Sequence, residues 1–311
     1  MRVAFMGTPA FAVPALEALL DHHEVVLVVT QPDRPAGRGM GVRASAVADA
    51  ARARGARLMQ PEKARDPALA ETLRGSGAEV LVVAAYGQLL PPAVLDATAH
   101  GGINVHASLL PRWRGASPIA AAILAGDEKT GVSIMRMEAG LDTGPVLLQY
   151  EASITGEDTT ATLGARLAEI GARALLEGLE RIAQGTATFT PQDGSAATYA
   201  PLVKKTDGDL DWARRAAHLE RAVRAYDPWP GVRVPLHGET VRLLRGKPVP
   251  GWFAGSGGAP GDIVEIGAAG ITVMAADGPF LVEEVQPPGR RAMAAADYAR
   301  GRRDLASSTS R

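Results

Sequence analysis

The chain has 311 residues, with 33 Lys or Arg against 34 Asp or Glu for a net charge of -1, and no cysteine. That length exceeds what one hydrophobic core usually organises, so two domains are expected. Without cysteine there are no disulfides, no thiolate catalysis and no Cys-ligated zinc, so no metal is expected; the charge is slightly more basic in the last third, which alone does not single out a polyanionic partner.

Taken in chain order, residues 2–6 read as a strand, and Pro9 opens a helix whose Phe11, Leu16, Leu19 and Leu20 recur at helical spacing. Residues 24–30 form the next strand, completing a β-α-β start. Gly7-Thr8-Pro9 is not a G-x-G-x-x-G turn, so a nicotinamide is not expected. The same triplet and Pro14 interrupt the N-terminal apolar stretch, which argues against a signal peptide. The apolar runs 80–86 and 119–125 fall far short of the roughly 18 residues that cross a bilayer, so a soluble cytoplasmic protein with no membrane partner is expected. His22 and His23 have no accompanying cluster and read as an exposed helix end rather than a metal site. Between residues 33 and 43 the chain carries Arg34, Arg38 and Arg43 among glycines. The segment is too long and polar for a simple β-α connection; it suits contact with a phosphate backbone, a plain surface loop being the alternative.

Further strands are expected at 80–85 and 102–105, and Ser117-Pro118 opens a helix bearing Ile119, Ile123 and Leu124. Apolar runs alternating with helices imply a mostly parallel sheet covered on both faces, with its active site beyond the C-terminal strand ends. Asn104 and His106 fall at such an end. Two residues apart on an extended segment they share a face, one offering an amide donor and the other a titratable imidazole. Residues 131–137 and 144–150 flank Asp142 as a hairpin, with Gly140 and Gly144 holding the carboxylate in a turn that can return against the imidazole. Asn, His and Asp together suit acyl transfer. Ser108 follows His106 along the same segment, and direct transfer needs no acyl-enzyme, so a serine hydrolase is set aside.

A long helix is expected over 159–183. From 189 to 208 the composition turns to Thr, Pro, Gln, Asp, Gly and Ser without periodicity, as in a linker. A helix at 214–225 precedes five short strands at 232–236, 240–245, 262–266, 271–275 and 280–285, a pattern that suggests a small barrel. A five-stranded Greek-key barrel of the oligonucleotide-binding type is one reading and a purely structural cap the other. The expected domains are thus 1–188, a linker at 189–208, and 209–311.

Several stretches taken together resemble the methionyl-tRNA formyltransferase family: Thr30-Gln31-Pro32-Asp33-Arg34-Pro35-Ala36-Gly37-Arg38-Gly39, Ala85-Tyr86-Gly87, residues 103–115, Gly140-Leu141-Asp142-Thr143-Gly144 and Tyr226-Asp227-Pro228-Trp229-Pro230. The Asn-Val-His, Leu-Pro-Arg-Trp-Arg-Gly and Leu-Asp-Thr-Gly motifs mark the wider group of enzymes that use 10-formyltetrahydrofolate, and the Gln-Pro-Asp-Arg-Pro loop and the second domain mark its tRNA-dependent member. The resemblance covers nearly the whole chain. It implies an α/β Rossmann-like formyltransferase domain followed by a small all-β oligonucleotide-binding-like barrel. It also implies formylation of the methionine amino group on initiator methionyl-tRNA for translation initiation, by a monomer. Asn104, His106 and Asp142 become the catalytic trio. The folate is implied to sit against Val83, Ala84, Ala85, Tyr86 and Gly87 and against Ser108, Leu109, Leu110, Pro111, Arg112 and Gly115, although Arg112 and Trp113 serve equally as packing and surface residues. The Arg34, Arg38 and Arg43 loop is implied to enter the tRNA acceptor stem. The sequence departs from the family at Met40-Gly41-Val42, where a relative carries consecutive lysines, so the grip on tRNA is weaker or redistributed there. The rivals are a formyltransferase acting on an amino sugar or glycinamide ribonucleotide, and a tRNA-binding chaperone without turnover.

In the implied reaction an amine attacks the formyl carbon and a tetrahedral oxyanion forms before the folate nitrogen leaves. Asn104 suits the oxyanion. His106 takes a proton from the amine or stabilises the oxyanion as imidazolium, and Asp142 orients the ring and raises its basicity; the sequence leaves the division of labour open.

Overall fold

The structure is a computed structural model that describes residues 1–36, 41–251 and 258–302. The chain divides into two compact units: Met1–Ile119, Glu128–Ile154 and Thr162–Pro201 form one, and Ala120–Asp127, Thr155–Ala161 and the chain from Leu202 onward form the other.

The elements up to Pro201 are β1 (Arg2–Gly7), α1 (Val13–His22), β2 (Glu24–Val29), β3 (Arg34–Ala36), β4 (Gly41–Arg43), α2 (Ala46–Ala53), β5 (Leu58–Met59), α3 (Pro67–Gly75), β6 (Val80–Ala84), α4 (Pro92–Leu95), β7 (Gly102–His106), β8 (Arg114–Gly115), α5 (Pro118–Ala125), β9 (Lys129–Arg136), β10 (Val146–Ser153), α6 (Thr160–Ala183) and β11 (Tyr199–Ala200). Seven strands build the main sheet in the order β10-β9-β7-β6-β1-β2-β5. The five from β7 to β5 are parallel, whereas β9 runs antiparallel to β7 and β10 antiparallel to β9. Every residue of β6 is buried, as a central parallel strand covered on both faces requires. Chain order reverses between β1 and β6, so their C-terminal ends bound the kind of crevice in which open α/β sheets take ligands.

The helices follow local chemistry. Ser45 caps α2 by accepting the Ala48 N–H at 3.0 Å, and Asp66 caps α3 in the same way, with Pro67 in its first turn. Along α6 the buried residues Leu163, Leu167, Gly171, Leu175, Gly178 and Ile182 recur at three or four, giving one apolar face. A Cβ on Gly171 would stand 2.8 Å from Val105 Cγ1, so this glycine lets α6 come down onto β7. Strand alternation then turns Asn104 and His106 to the opposite face of β7.

The second unit contains α7 (Ala216–Ala225), β12 (Val232–Leu236), β13 (Glu239–Pro248), β14 (Ile263–Gly267), β15 (Gly270–Ala275), β16 (Gly278–Gln286), β17 (Met293–Ala294) and α8 (Ala295–Arg300). Its antiparallel sheet runs β12-β13-β16-β15-β14, with β17 on β16. The order β13-β16-β15-β14 is a Greek key. Val234, Val241, Val273, Phe280 and Val282 are fully buried in its core. Asp277, in the turn between β15 and β16, accepts the Ala216 N–H at 2.7 Å and so caps α7; the hydrogen bond from Arg215 is the largest of the effects that hold its carboxyl below the usual range.

The expected α/β domain followed by a small all-β domain is what the chain forms. Strand ends shift by a few residues, and α7 starts at Ala216 rather than 214 because Arg215 is still extended. The segment expected to be a linker at 189–208 carries β11, which pairs in parallel with β8, and up to Pro201 it belongs to the first unit. No helix among the described residues is long and apolar enough to cross a membrane.

Candidate active site

The site grows from the carboxyl ends of β1, β6 and β7. Where the chain order reverses, Thr8 Oγ1 donates to the Tyr86 carbonyl at 2.9 Å and Gln31 Nε2 donates to the same oxygen at 2.8 Å, fixing the turn that follows β6. In that turn Ala85 adopts φ +46° and Gly87 φ +85°, and both are exposed, while Val83, Ala84 and Tyr86 are buried. Tyr86 belongs to a buried apolar cluster with Leu69, Leu73 and Val94; its hydroxyl has no hydrogen-bond partner among the described residues, and burial pushes it up from the usual phenol range.

At the end of β7, Asn104 is buried, 8 % exposed, and its carboxamide carries N–H donors. His106 Nε2 lies 3.0 Å from the Trp113 carbonyl. A carbonyl only accepts, so Nε2 carries a proton. Nδ1 faces Asp142 Oδ2 at 3.7 Å, the two side chains being 7 % and 15 % exposed. The gap exceeds a hydrogen bond, and a proton arriving at Nδ1 would meet a carboxylate. Asp142 Oδ2 itself accepts the Gly115 N–H at 2.8 Å. Asp142 sits at φ +52° and Trp113 at φ +60°; with Ala85 they are three of the four non-glycine residues in the left-handed region among the described residues. Such conformations persist where the surroundings impose them, and they cluster at functional sites.

The loop between β7 and β8 is braced from several directions. Ser108 Oγ donates to the Arg112 carbonyl at 2.6 Å, Ser133 Oγ donates to the Ser108 carbonyl at 2.6 Å and accepts the Leu110 N–H at 3.0 Å, and Gln149 Nε2 donates to the Leu110 carbonyl at 2.8 Å. Thr198 Oγ1 accepts the Trp113 N–H at 2.9 Å. Arg112 lies over the Trp113 ring, 4.4 Å from its centroid.

The structure therefore brings His106, Asp142 and Gly115 into contact, with Asn104 on the same strand face as His106. Leu109, Leu110, Pro111 and Arg112 form the braced loop beside them. Arg34 and Arg43 lie apart from this cluster: they are paired across the β3–β4 hairpin and exposed, with no carboxylate partner among the described residues. Arg38 and Met40 lie outside the described residues. At the base of the hairpin Asp33 is held by Gln60 at 2.6 Å and Arg52 at 3.1 Å, and the Gln60 hydrogen bond is the main cause of its lowered carboxyl. His22 and His23 are remote from the site, and no group of three or more metal-ligating side chains occurs among the described residues. The sequence reading assigned nothing to Thr8, Ser133, Gln149, Gln192 or Thr198. Only Ser133 announces itself, as a lone hydroxyl inside the apolar run Val132-Ser133-Ile134.

Comparison with known proteins places these features. The family model described as "Formyl transferase" matches residues 1–179, and "Formyl transferase, C-terminal domain" matches residues 202–303. The chain is 48 % identical over 301 residues to a methionyl-tRNA formyltransferase of Thermus thermophilus, covering 97 % of this chain and 96 % of that protein. Among solved structures, the N-formyltransferase of Helicobacter canadensis in complex with folinic acid and dTDP-3-aminofucose superposes with a TM-score of 0.67 at 15 % identity, covering 92 % of this chain and 98 % of that one. HypX of Aquifex aeolicus in complex with tetrahydrofolic acid superposes with a TM-score of 0.61 at 16 % identity, covering 96 % of this chain and 46 % of that one, so this chain spans less than half of that protein.

Proposed function

Because the chain belongs to the formyl transferase family, we propose that it transfers the formyl group of 10-formyltetrahydrofolate to the α-amino group of methionine on initiator methionyl-tRNA, for translation initiation. Identity of 48 % across both units to a methionyl-tRNA formyltransferase favours this substrate over an amino sugar, since the sugar enzyme shares the fold at only 15 % identity. The protein works as a cytoplasmic monomer and needs no metal.

The observation that carries the mechanism is that a three-residue segment, Trp113-Arg114-Gly115, holds both His106 and Asp142, one through a carbonyl and the other through an N–H. The folate supplies an activated formyl carbon. Exposed backbone at Ala85 and Gly87 and the braced loop from Ser108 to Gly115 hold its ring system. The methionine amine attacks that carbon; the Asn104 N–H stabilises the oxyanion, a contribution of about 2.7 to 4 kcal/mol where one such donor has been removed elsewhere. His106 Nδ1 takes the proton the amine sheds and returns it to the departing nitrogen. Asp142 faces the imidazolium while it exists. Arg34, Arg38 and Arg43, with the second unit, hold the sugar-phosphate backbone of the acceptor arm.

Mixing the protein with 10-formyltetrahydrofolate and charged initiator tRNA tests this reading. Formyl-methionyl-tRNA is the expected product, read as formyl-methionine after the ester is hydrolysed. Its absence, or formylation of an amino sugar nucleotide in preference, overturns the assignment.

A further inference from the structure

Residues 180–201 lie between the two family matches, yet they hold the site together. Gln192 Nε2 donates to the Asp142 carbonyl at 2.8 Å and to the Gly144 carbonyl at 2.7 Å, and its Oε1 accepts from Arg114 Nε at 3.0 Å and Nη2 at 2.8 Å. These bonds leave the amide one orientation, with its donor towards the carbonyls and its acceptor towards the guanidinium. We propose that Gln192 is a positioning residue for the catalytic pair, holding the Asp142 turn so that the carboxylate faces His106.

Three observations carry this. Asp142 occupies the left-handed region at φ +52°, which a non-glycine residue keeps only when its surroundings over-determine it, and Gln192 binds the carbonyls of residues 142 and 144 in that turn. Arg114 and Gly115 are consecutive, so one dipeptide grips Asp142 twice: Gly115 bonds the carboxylate and Arg114 acts on the backbone through Gln192. The same strand then ties back to His106. Thr198 accepts the Trp113 N–H on its hydroxyl and the Arg114 N–H on its carbonyl, β11 pairs with β8, and the Trp113 carbonyl receives His106 Nε2. Gln192 and residues 198–200 thus close a circuit of hydrogen bonds around both members of the pair. The chemistry of the partner is also informative. Arg114 is 6 % exposed and has no carboxylate partner among the described residues. A glutamate would satisfy that buried cation better than an amide does, but a glutamate has no N–H to offer the two carbonyls.

Gln192→Glu separates positioning from a structural tie, because it keeps an acceptor for Arg114 and removes both donors. Gln192→Ala removes everything. This inference rests on the formyl-transfer reading, so kcat is paired with a readout that does not need turnover: the ring 15N resonances of His106, with Asp193→Asn as a neighbouring control. In Gln192→Glu and Gln192→Ala kcat is expected to fall by about 10- to 100-fold with an altered pH profile, while the KM for 10-formyltetrahydrofolate stays put. The His106 resonances shift in both variants and not in the control, and Gln192→Glu keeps the wild-type unfolding midpoint. If Gln192→Glu matches wild type in kcat, pH profile and His106 resonances, or loses only stability, the proposal fails. If wild type forms no formyl-methionine but the resonances still move, the functional reading fails and the positioning role stands.

Discussion

The loop after β7 and the hairpin after β2 both leave the carboxyl edge of the same sheet, but they are built on opposite plans. Between His106 and Gly115 the backbone is bonded by side chains from β9, β10 and the segment before β11, and left-handed turns are held in place. Among the described residues of the β3–β4 hairpin, the side-chain anchor is at the base, through Asp33, and Arg34 and Arg43 are exposed with no carboxylate partner. Proton transfer tolerates little misplacement: a 1 Å error can cost on the order of 100-fold. Phosphate contact is carried mainly by charge and reads no exact geometry. On the proposed function, the contrast separates a part of the molecule that must be rigid from one that must be cationic.

Substitutions at the braced loop should therefore act on turnover. His106→Ala is expected to lower kcat by on the order of 100- to 10,000-fold, and Asn104→Ala by on the order of 100- to 1,000-fold, in steady-state formylation assays with circular dichroism confirming the fold. Turnover near the wild-type value in either variant would remove that residue from the chemistry. Next in size, Asp142→Asn should cost on the order of 100-fold in kcat with little change in unfolding midpoint. Were Asp142 only a turn residue, the loss would appear in stability and activity per folded molecule would survive.

At the hairpin the effect should move to tRNA affinity. Arg43→Ala is expected to weaken tRNA binding and to reduce the slope of log affinity against log salt by about 1, leaving folate binding unchanged. A loss that ignores salt, or one that appears in folate binding, would erase the distinction between the two loops. The smallest effect should come from Tyr86, whose backbone serves the turn after β6 while its hydroxyl lies unpartnered in the core. Tyr86→Phe should leave activity intact and change stability by less than about 1 kcal/mol, towards greater stability, because no bonded partner is left behind. A clear destabilisation in a thermal melt would show that the hydroxyl has a partner.

The sequence exposed the parts whose signal is local. Fully apolar runs located β1, β2 and β6, and the Asn104-Val105-His106 alternation announced a polar face at a strand end. Asp142 was visible because glycines bracket it two residues away on either side. What stayed hidden was of two kinds. The helix α2 buries only Val47, Ala48 and Ala51, an apolar face too small to stand out, and β5 is two residues long, below any periodicity. The other kind is non-local. Gln192 meets Arg114 across 78 positions and Thr198 meets Trp113 across 85, from a stretch whose Thr, Pro, Asp and Gly composition reads as a linker. Composition reports local flexibility; it carries no record of which carbonyl a distant amide will find.

The central claim is that His106 and Asp142 act as one unit because one short segment holds both. A double-mutant cycle on single-turnover formyl transfer, with His106→Ala, Asp142→Asn and the combination at saturating folate and tRNA, tests it most directly. If the two act together, the double variant is no slower than the slower single one. If the two losses multiply, His106 and Asp142 work independently, and the shared brace through Trp113 and Gly115 is not what makes the site.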